Sequence, residues 1–150
     1  MPATIKFKLN LTSINQLLDQ TAPQKMEEAA INLHKTTVET LSQKGTGRIY
    51  THYFFTDKQG RLRRGKKRWK PHQASAEGKP PARDTSQLVQ SIKWWLEGNG
   101  RRVVGKVGTN LALGLMLEFG TKKMGARPWL KPSFDKALPT IKNILSRKWF

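Results

Sequence analysis

A run of cations in the middle of the chain is the densest group of side chains that could do chemistry. Eight of the 13 residues from 58 to 70 are basic: Lys58, Arg61, Arg63, Arg64, Lys66, Lys67, Arg68 and Lys70. Such a run can neutralise phosphates and release their counterions, which gives binding that depends on salt but not on base sequence. Two interpretations stay open: contact with DNA or an acidic partner surface, or a flexible, solvated β-arm.

Aromatic residues accompany these cations. Trp69 lies inside the run, and Tyr50, Tyr53, Phe54 and Phe55 precede it. Rings beside cations can stack on single-stranded bases. Strands also favour aromatic residues for packing, so we interpret Tyr50, Phe54 and their neighbours as core residues of a strand.

The other titratable residues do not form the pattern of a catalytic or metal site. His34, His52 and His72 lack a second His or an acid at metal-ligand spacing, so we interpret them as surface or packing residues. Glu27 and Glu28, the only adjacent acids, suit the positive end of a helix. The sequence therefore predicts a protein that is not an enzyme and has no metal or cofactor.

The cysteine and glycine residues also form no pattern of a catalytic, metal or nucleotide site. The chain has no cysteine, which excludes thiol nucleophiles, zinc–thiolate sites and disulfides. Gly105, Gly108, Gly114 and Gly120 do not form a GxGxxG unit, and no GxxxxGK[ST] motif occurs. Nucleotide binding is therefore not predicted.

Glu118 is the one acid inside an apolar stretch. A buried carboxylate needs a partner to offset its loss of hydration. We expect Glu118 to be held by a basic residue such as Arg127, with a catalytic role as the alternative.

The net charge of +18 is distributed unevenly. Residues 1–57 contain six Lys or Arg against five Asp or Glu, whereas residues 58–150 contain 22 against five. A surface so polarised repels its own copies unless polyanions or acidic proteins lie beside it. Solubility alone is the competing explanation.

The chain length suits one domain. At 150 residues, folding can bury roughly 68–70% of the surface of the unfolded chain. The longest apolar-rich stretch, residues 111–119, is far shorter than the roughly 20 residues that span a bilayer. The N-terminal residues lack the unbroken apolar core of a signal peptide. We expect one soluble domain over residues 1–150, with a basic arm or loop at about 56–83.

Periodicity predicts the elements of the N-terminal half. Apolar alternation from Ile5 to Leu9 indicates a strand, and Ser13 can cap a short helix through Asp19. A second helix is predicted from Pro23 to Lys44. Its apolar stripe consists of Met26, Ala30, Leu33, Thr37 and Leu41. A strand over Ile49–Thr56 then leads through a turn into the basic arm, which we expect to end at Lys70 before a loop from Pro71 to Asp84.

The C-terminal half completes an α+β pattern. The predicted elements are a short helix around Leu88, a hairpin turning at Gly98–Gly100, a buried helix over Leu111–Phe119 and a last helix from near Pro132. The last helix carries Phe134, Leu138, Ile141 and Leu145 on one side. Pro139 should kink or split that helix. The order predicts a mostly antiparallel sheet packed against a long N-terminal helix and a C-terminal helix, with an extended basic hairpin.

Six short motifs follow one another along the chain. They are GTGRIY at Gly45–Tyr50, ASAEGKPPA at Ala74–Ala82, DTSQLVQSI at Asp84–Ile92, VGT at Val107–Thr109, LEFGT at Leu117–Thr121 and ARPWLKP at Ala126–Pro132. In order and spacing this series resembles a family of siphophage head–tail joining proteins, also described as neck, tail-completion or minor tail proteins. Each motif is weak alone, but the series of six is specific.

Four features depart from the pattern of that family. The tyrosine–alanine pair that is usual ahead of LEFGT is absent, and residues 111–115 fill that region. Glu77 stands where proline is usual, Ser86 stands where glycine is commoner, and Trp129 replaces a phenylalanine. These changes leave the fold implied by the resemblance intact.

The resemblance implies a structural virion protein at the phage neck or tail top, made in the host cytoplasm during assembly. Its small α+β protomer would form a ring, a hexamer or a dodecamer, joining the head connector to the tail tube. The implied partners are head-completion or connector proteins and tail-terminator or tail-tube proteins, with genomic DNA in the lumen and no membrane. The motif residues with an implied structural role are Gly78, Pro80, Pro81, Thr85, Leu88, Ile92, Gly108, Glu118, Phe119, Gly120, Thr121, Arg127 and Pro128.

A different class of function is kept as the alternative. The cations of residues 58–70 could serve a sequence-nonspecific nucleic-acid-binding protein. In a ring, the same arm could instead reach a neighbouring subunit.

Overall fold

Helices and strands are interleaved along the chain, which confirms the predicted α+β class. The computed structural model describes residues 3–10, 17–84, 86–99 and 102–147. Its elements are β1 (Ala3–Asn10), α1 (Leu17–Leu41), β2 (Ile49–Thr56), β3 (Leu62–Gln73), α2 (Gln87–Ser91), β4 (Lys93–Asn99), β5 (Arg102–Thr109), α3 (Ala112–Phe119) and α4 (Leu130–Ser146).

The central sheet has three antiparallel strands in the order β1-β5-β4. Val107 on β5 lies opposite both Ile5 on β1 and Trp94 on β4. This row faces the core, and Val107 is fully buried. The next row, which includes Lys106 and Trp95, faces the opposite side because successive side chains of a strand alternate.

Two long helices cover the core side of this sheet. α1 packs against α4 and against β4 and β5. The predicted stripe of α1 is confirmed, since Met26, Ala30, Leu33, Thr37 and Leu41 are all buried. The Thr37 hydroxyl donates to the Leu33 carbonyl at 2.8 Å, so this polar atom is satisfied inside the helix.

The predicted break between two helices at Pro23 is wrong. α1 begins at Leu17 and continues through Pro23. Proline removes one helical hydrogen bond, but Ala22 and Met26 on either side are buried in the core, and this burial offsets the loss. Ser13 lies outside the described residues.

Because α1 begins at Leu17, Glu27 and Glu28 lie inside the helix and not at its N-terminus. Glu28 instead pairs with Arg147 at 2.9 Å.

The last helix also differs from its prediction. α4 begins at Leu130 and passes through Pro139 as one helix, so of the two predicted outcomes, a kink or a split, the split does not occur. Its buried face consists of Leu130, Ser133, Ala137, Ile141 and Ile144. Of the four residues predicted to form the apolar side, only Ile141 is fully buried on that face. Trp129 and Leu130, both buried, turn the start of the helix toward the core and set this orientation.

The basic arm forms a separate two-stranded sheet of β2 and β3. β3 extends to Gln73, so the prediction that a loop starts at Pro71 is wrong. Tyr50 lies opposite His72, but His52 lies opposite Lys67. The four residues 68–71 of β3 therefore form a bulge opposite Thr51. Pro71 is tolerated there because a bulge does not need its missing N–H.

Candidate functional site

The hairpin of β2 and β3 projects from the rest of the protein. None of residues 49–73 is buried. Its base is held by hydrogen bonds from Gly47 N to Ala74 O at 2.7 Å and from Ala74 N to Arg48 O at 2.9 Å. A Cβ at Gly45 would collide with the Gln73 carbonyl, so glycine is required where the strands leave the body. At about 3.3 Å per residue, the eight residues of β2 extend roughly 26 Å.

All eight predicted cations lie on this projection. Seven are exposed and Arg68 is half-buried. Residues 48–73 contain nine Lys or Arg and a single acid, Asp57, which gives a net charge of +8. A charge of this size on a ribbon without a buried residue produces a strong positive potential around it.

Asp57 organises the tip of the hairpin. Its carboxylate accepts the backbone N–H groups of Gln59 at 3.0 Å and Arg61 at 2.9 Å, and the Nε groups of Arg61 at 3.2 Å and Arg63 at 2.9 Å. The Arg61 backbone N–H, together with these other donors, holds the pKa of Asp57 below its ordinary value. Gly60 completes the turn in the left-handed conformation, at φ 75°.

One face of the hairpin has cations that are paired with acids. Phe55 lies opposite Arg63, whose guanidinium is bonded to Asp57. Tyr53 is two residues away on the same face, and the Arg68 guanidinium lies 4.4 Å from its ring centroid. Arg68 also forms an ion pair with Asp84, beyond the hairpin. Asp57 is shared with Arg61, so this face is ion-paired but not neutral. We call Tyr53, Phe55, Arg63 and Arg68 the ion-paired face.

The opposite face has cations without acidic partners among the described residues. Phe54 lies opposite Arg64, and His52 lies opposite Lys67. Arg64 Nη2 is 3.0 Å from Nδ1 and 2.8 Å from Nε2 of His52. Partial desolvation and the charges of Arg64 and Lys67 lower the pKa of His52 below its ordinary value. We call His52, Phe54, Arg64 and Lys67 the cationic face.

The prediction that the aromatic residues of β2 are core residues is wrong. Tyr53, Phe54 and Phe55 are 50%, 46% and 54% exposed, and Tyr50 is half-buried. A ribbon of two strands has no second layer to cover either face. Trp69 stands in the bulge of β3 and is 95% exposed. The aromatic side chains of the hairpin are therefore available to another molecule.

The motif residues of the C-terminal half form a separate cluster, in which Glu118 has a different partner from the one predicted. Its carboxylate accepts the backbone N–H groups of Trp129 at 2.7 Å, Leu130 at 2.8 Å and Lys131 at 3.1 Å. No ion pair between Glu118 and Arg127 is present in the described part of the chain. The first N–H groups of a helix lack partners within the helix, so Glu118 caps α4 from α3.

Arg127 supports the same cluster mainly through its backbone. Its N–H donates to the Leu117 carbonyl at 2.7 Å, which joins the LEFGT and ARPWLKP motifs. Its Nη1 is 3.7 Å from the Met124 sulfur, and its buried Nε has no hydrogen-bond partner among the described residues. Gly120 turns the chain at φ 76°, and Thr121 N donates to Met124 O at 2.8 Å.

Most other motif residues also have structural roles. Gly78, at φ 74°, donates its N–H to the Ala126 carbonyl at 2.8 Å. A Cβ at Gly108 would lie 2.6 Å from the Ala3 carbonyl, so glycine allows β1 and β5 to pair. Pro81, Leu88 and Ile92 are buried, Pro80 and Pro128 are half-buried, and Thr121 is exposed. Thr85 lies outside the described residues.

Phe119 does not fit this structural role, because it is 74% exposed. Leu113 and Met116 precede it at three-residue steps and are also exposed. The prediction that α3 is wholly buried is therefore wrong, since only Gly114 and Leu117 face the interior fully. The three-residue spacing of the exposed residues was the signal in the sequence that could have revealed this face.

Among residues 3–10, 17–84, 86–99 and 102–147, no group of three or more His, Asp or Glu is placed to hold a metal ion. No helix in the same ranges is long and apolar enough to span a membrane. His34 Nε2 lies 3.2 Å from the Ile92 carbonyl, so this histidine packs between α1 and the start of β4.

Comparison with protein-family models, curated proteins and solved structures found no match to the chain.

Proposed function

We propose that the chain is a structural protein of a siphophage, acting at the neck as a ring-forming protomer that joins the head connector to the tail. The observation that carries this proposal is the projecting hairpin, which presents a charge of +8 and uncovered aromatic side chains. Exposed apolar groups of this number are typical of surfaces that bind another macromolecule. An assembly protein needs such an element and no catalytic group.

The reach of the hairpin supports an intermolecular role. A folded chain of 150 residues has a radius of gyration of about 15 Å, and the hairpin adds roughly 26 Å beyond its base. An element of this length can contact a neighbouring subunit in a hexamer or dodecamer, a connector or tail-terminator ring, or DNA in the lumen. The six-motif series supports the same proposal, because its residues mainly hold turns and helix ends together.

The proposed function is tested in the phage that encodes the chain. An amber mutation in the gene should yield DNA-filled heads and free tails that fail to join, as seen by electron microscopy. Supplying the wild-type chain from a plasmid should restore joined particles. Joined, infectious particles produced without the chain would refute the proposal.

A second candidate is sequence-nonspecific nucleic-acid binding through residues 58–70. Two observations favour it. Arg64 and Lys67 of the cationic face have no acidic partner among the described residues, and the ring of Trp69, between Arg68 and Lys70, is exposed. A two-stranded ribbon fits the major groove of duplex DNA, and an exposed indole can stack on an unpaired base. Binding of duplex and single-stranded oligonucleotides should weaken steeply as salt increases. A flat salt response, or no binding at low salt, would remove this candidate.

A further inference from the structure

Trp69 is the most exposed of the large apolar side chains that the structure describes, at 95%. Other rings of the hairpin have neighbours: the Arg68 guanidinium covers Tyr53 at 4.4 Å, and Phe54 packs edge-on against Tyr50 with 5.9 Å between ring centroids. Trp69 has nearly its whole indole in solvent. Tryptophan is highly buried on average, so packing within the chain does not account for this side chain.

The bulge of β3 directs Trp69 outward. Residues 68–71 lie opposite the single residue Thr51, so they leave the regular ladder of the hairpin. A bulge re-aims the side chains that it carries. Arg68, at the start of the bulge, forms an ion pair with Asp84 outside the hairpin, which anchors this piece of backbone. The indole is therefore presented to solvent from an anchored position.

Lysines without acidic partners flank the indole. Lys67 and Lys70 are exposed, and neither forms an ion pair within the part of the chain that the structure describes. The acids that contact the hairpin, Asp57 and Asp84, are engaged by arginines instead. Consecutive Cα atoms are about 3.8 Å apart. Both ammonium groups, on their flexible four-carbon stems, can therefore reach anions on either side of a group that lies on the indole.

The cations and the indole together define the chemistry of the ligand. The lysines require an anion, and the uncovered indole suits a flat ring that can stack on it. Every nucleotide of a nucleic acid supplies both a phosphate and a ring. An acidic protein surface supplies carboxylates, but it does not place a flat ring between them. The exposed indole, and not the charge, thus favours nucleic acid.

Stacking on Trp69 further requires a base whose face is free. The bases of a duplex are paired and stacked on one another, and opening a step between them costs free energy. A regular two-stranded ribbon can enter the major groove of a duplex, but residues 68–71 interrupt the ribbon. In an unpaired strand the bases can turn onto an aromatic side chain while the backbone follows the cations. The bulge therefore suits a single strand better than a duplex.

We infer that the bulge of β3 is a binding site for an unpaired nucleic-acid strand, with one base stacked on Trp69 and the adjoining phosphates bound by Lys67 and Lys70. Every base has a flat face, so the site accepts any sequence. The inference rests on the second candidate function, and it names the class of nucleic acid that the hairpin prefers. It does not depend on the proposed role at the phage neck.

Fluorescence anisotropy of the purified full-length chain tests the site. A labelled oligothymidylate of about 20 nucleotides should bind about tenfold more tightly than a duplex with the same number of phosphates. Trp69→Ala should weaken binding of the single strand by about tenfold, which is within the range for one stacked base, and should leave duplex binding unchanged. Trp69→Phe keeps a ring and should lose less. An oligouridylate of equal length shows whether the site prefers DNA or RNA.

Leu62→Ala is the matched control. Leu62 lies on the same strand and is 71% exposed, but it is outside the bulge. This variant should bind the single strand and the duplex like the wild type. Circular dichroism should show that the Trp69 and Leu62 variants fold, because each substituted side chain is at least 71% exposed.

Salt dependence separates the ring from the cations. Trp69→Ala should leave the slope of log K against log salt unchanged, because a stacked base releases no counterions. Lys67→Gln/Lys70→Gln should reduce the slope for the single strand by about 1.4, at about 0.7 for each lost phosphate contact. Indole fluorescence of the wild type should fall when unlabelled strand is added, and Trp69→Phe should abolish most of this fall.

Three results would overturn the inference: equal affinity of the wild type for single strand and duplex, unchanged single-strand affinity in Trp69→Ala, or an equal loss in Leu62→Ala. Polyglutamate of the same charge should displace the labelled strand far less well than unlabelled oligothymidylate. Equal displacement would assign the bulge to an acidic protein surface and also overturn the inference. Absence of any nucleic-acid binding at low salt would remove the second candidate function as well, whereas the amber mutant tests the role at the neck separately.

Discussion

The Glu118 carboxylate accepts the backbone N–H of Trp129 at a distance of 2.7 Å, so the end of α3 is bonded to the start of α4. Leu130 and Lys131 donate to the same carboxylate at 2.8 Å and 3.1 Å. A carboxylate satisfies these N–H groups and interacts favourably with the positive end of the helix. This relationship joins the LEFGT segment to the ARPWLKP segment.

Removing this cap should destabilise the protein. We expect Glu118→Ala to lower the free energy of unfolding by about 1–2 kcal/mol, because three N–H groups at the start of α4 lose their acceptor. Glu118→Gln keeps one acceptor oxygen and should lose less. Urea denaturation followed by circular dichroism measures both. Glu39→Ala, an exposed acid on α1, is the control, and an equal loss there would contradict the assignment.

Ser86 stands in a backbone conformation that favours glycine. Its φ is 65°, in the left-handed region that residues with a side chain rarely adopt. Ser86→Gly should raise the free energy of unfolding by about 0.5–1 kcal/mol, because it relieves the backbone strain. This gain exceeds two costs: the entropy that glycine adds to the unfolded chain, and the loss of one exposed hydrogen bond from Arg83 Nε to the Ser86 hydroxyl. Ser86→Ala keeps the strain and should be no more stable than the wild type. Thermal denaturation compares the three.

The tip of the hairpin should loosen in acid because of Asp57. The pKa of Asp57 in the folded protein is below the ordinary value of 3.8. The carboxylate therefore makes all of its stabilising hydrogen bonds above pH 3.8, and it loses them as the pH falls through the lower pKa of the folded protein. The protection factors of the Gln59 and Arg61 amides, corrected for intrinsic exchange at each pH, should therefore stay constant down to about pH 4 and fall below it. Asp57→Asn should show fast exchange already at pH 7. Unchanged protection in that variant would refute the role of the carboxylate.

The two faces of the hairpin should differ in nucleic-acid binding if the second candidate function holds. Arg64→Gln/Lys67→Gln removes two cations without acidic partners, so the slope of log K against log salt on duplex DNA should shrink by about 1.8. Arg63→Gln removes a cation already paired with Asp57 and should change the slope much less. Fluorescence anisotropy with a labelled duplex measures both slopes. Equal changes in the two variants would show that the faces are not distinct.

The sequence predicted the elements that depend on local periodicity. The buried stripe of α1, the β4–β5 hairpin and the basic arm all follow from apolar spacing and turn residues, and the structure contains each of them. The predicted helix breaks at Pro23 and Pro139 do not occur. The free-energy cost of a proline is local, whereas the burial that offsets this cost comes from distant parts of the chain.

The details of the candidate site were harder to predict for a different reason. The acceptor role of Glu118 involves backbone N–H groups, which no side-chain pattern reveals. The exposure of Phe54 and Phe55 depends on the absence of a second layer over the hairpin, which is a property of the whole fold. The pairing of Arg68 with Asp84 joins β3 to a loop 16 residues away.

The bonds of Asp57 at the tip and of Gly47 and Ala74 at the base have a consequence for how fast the hairpin can bind another molecule. They fix the shape of the hairpin within a single chain, so its conformational entropy is lost when the chain folds and not when it meets another molecule. A preorganised element of this kind binds without a slow ordering step. Each newly made copy therefore carries its hairpin in final form before it meets any other molecule.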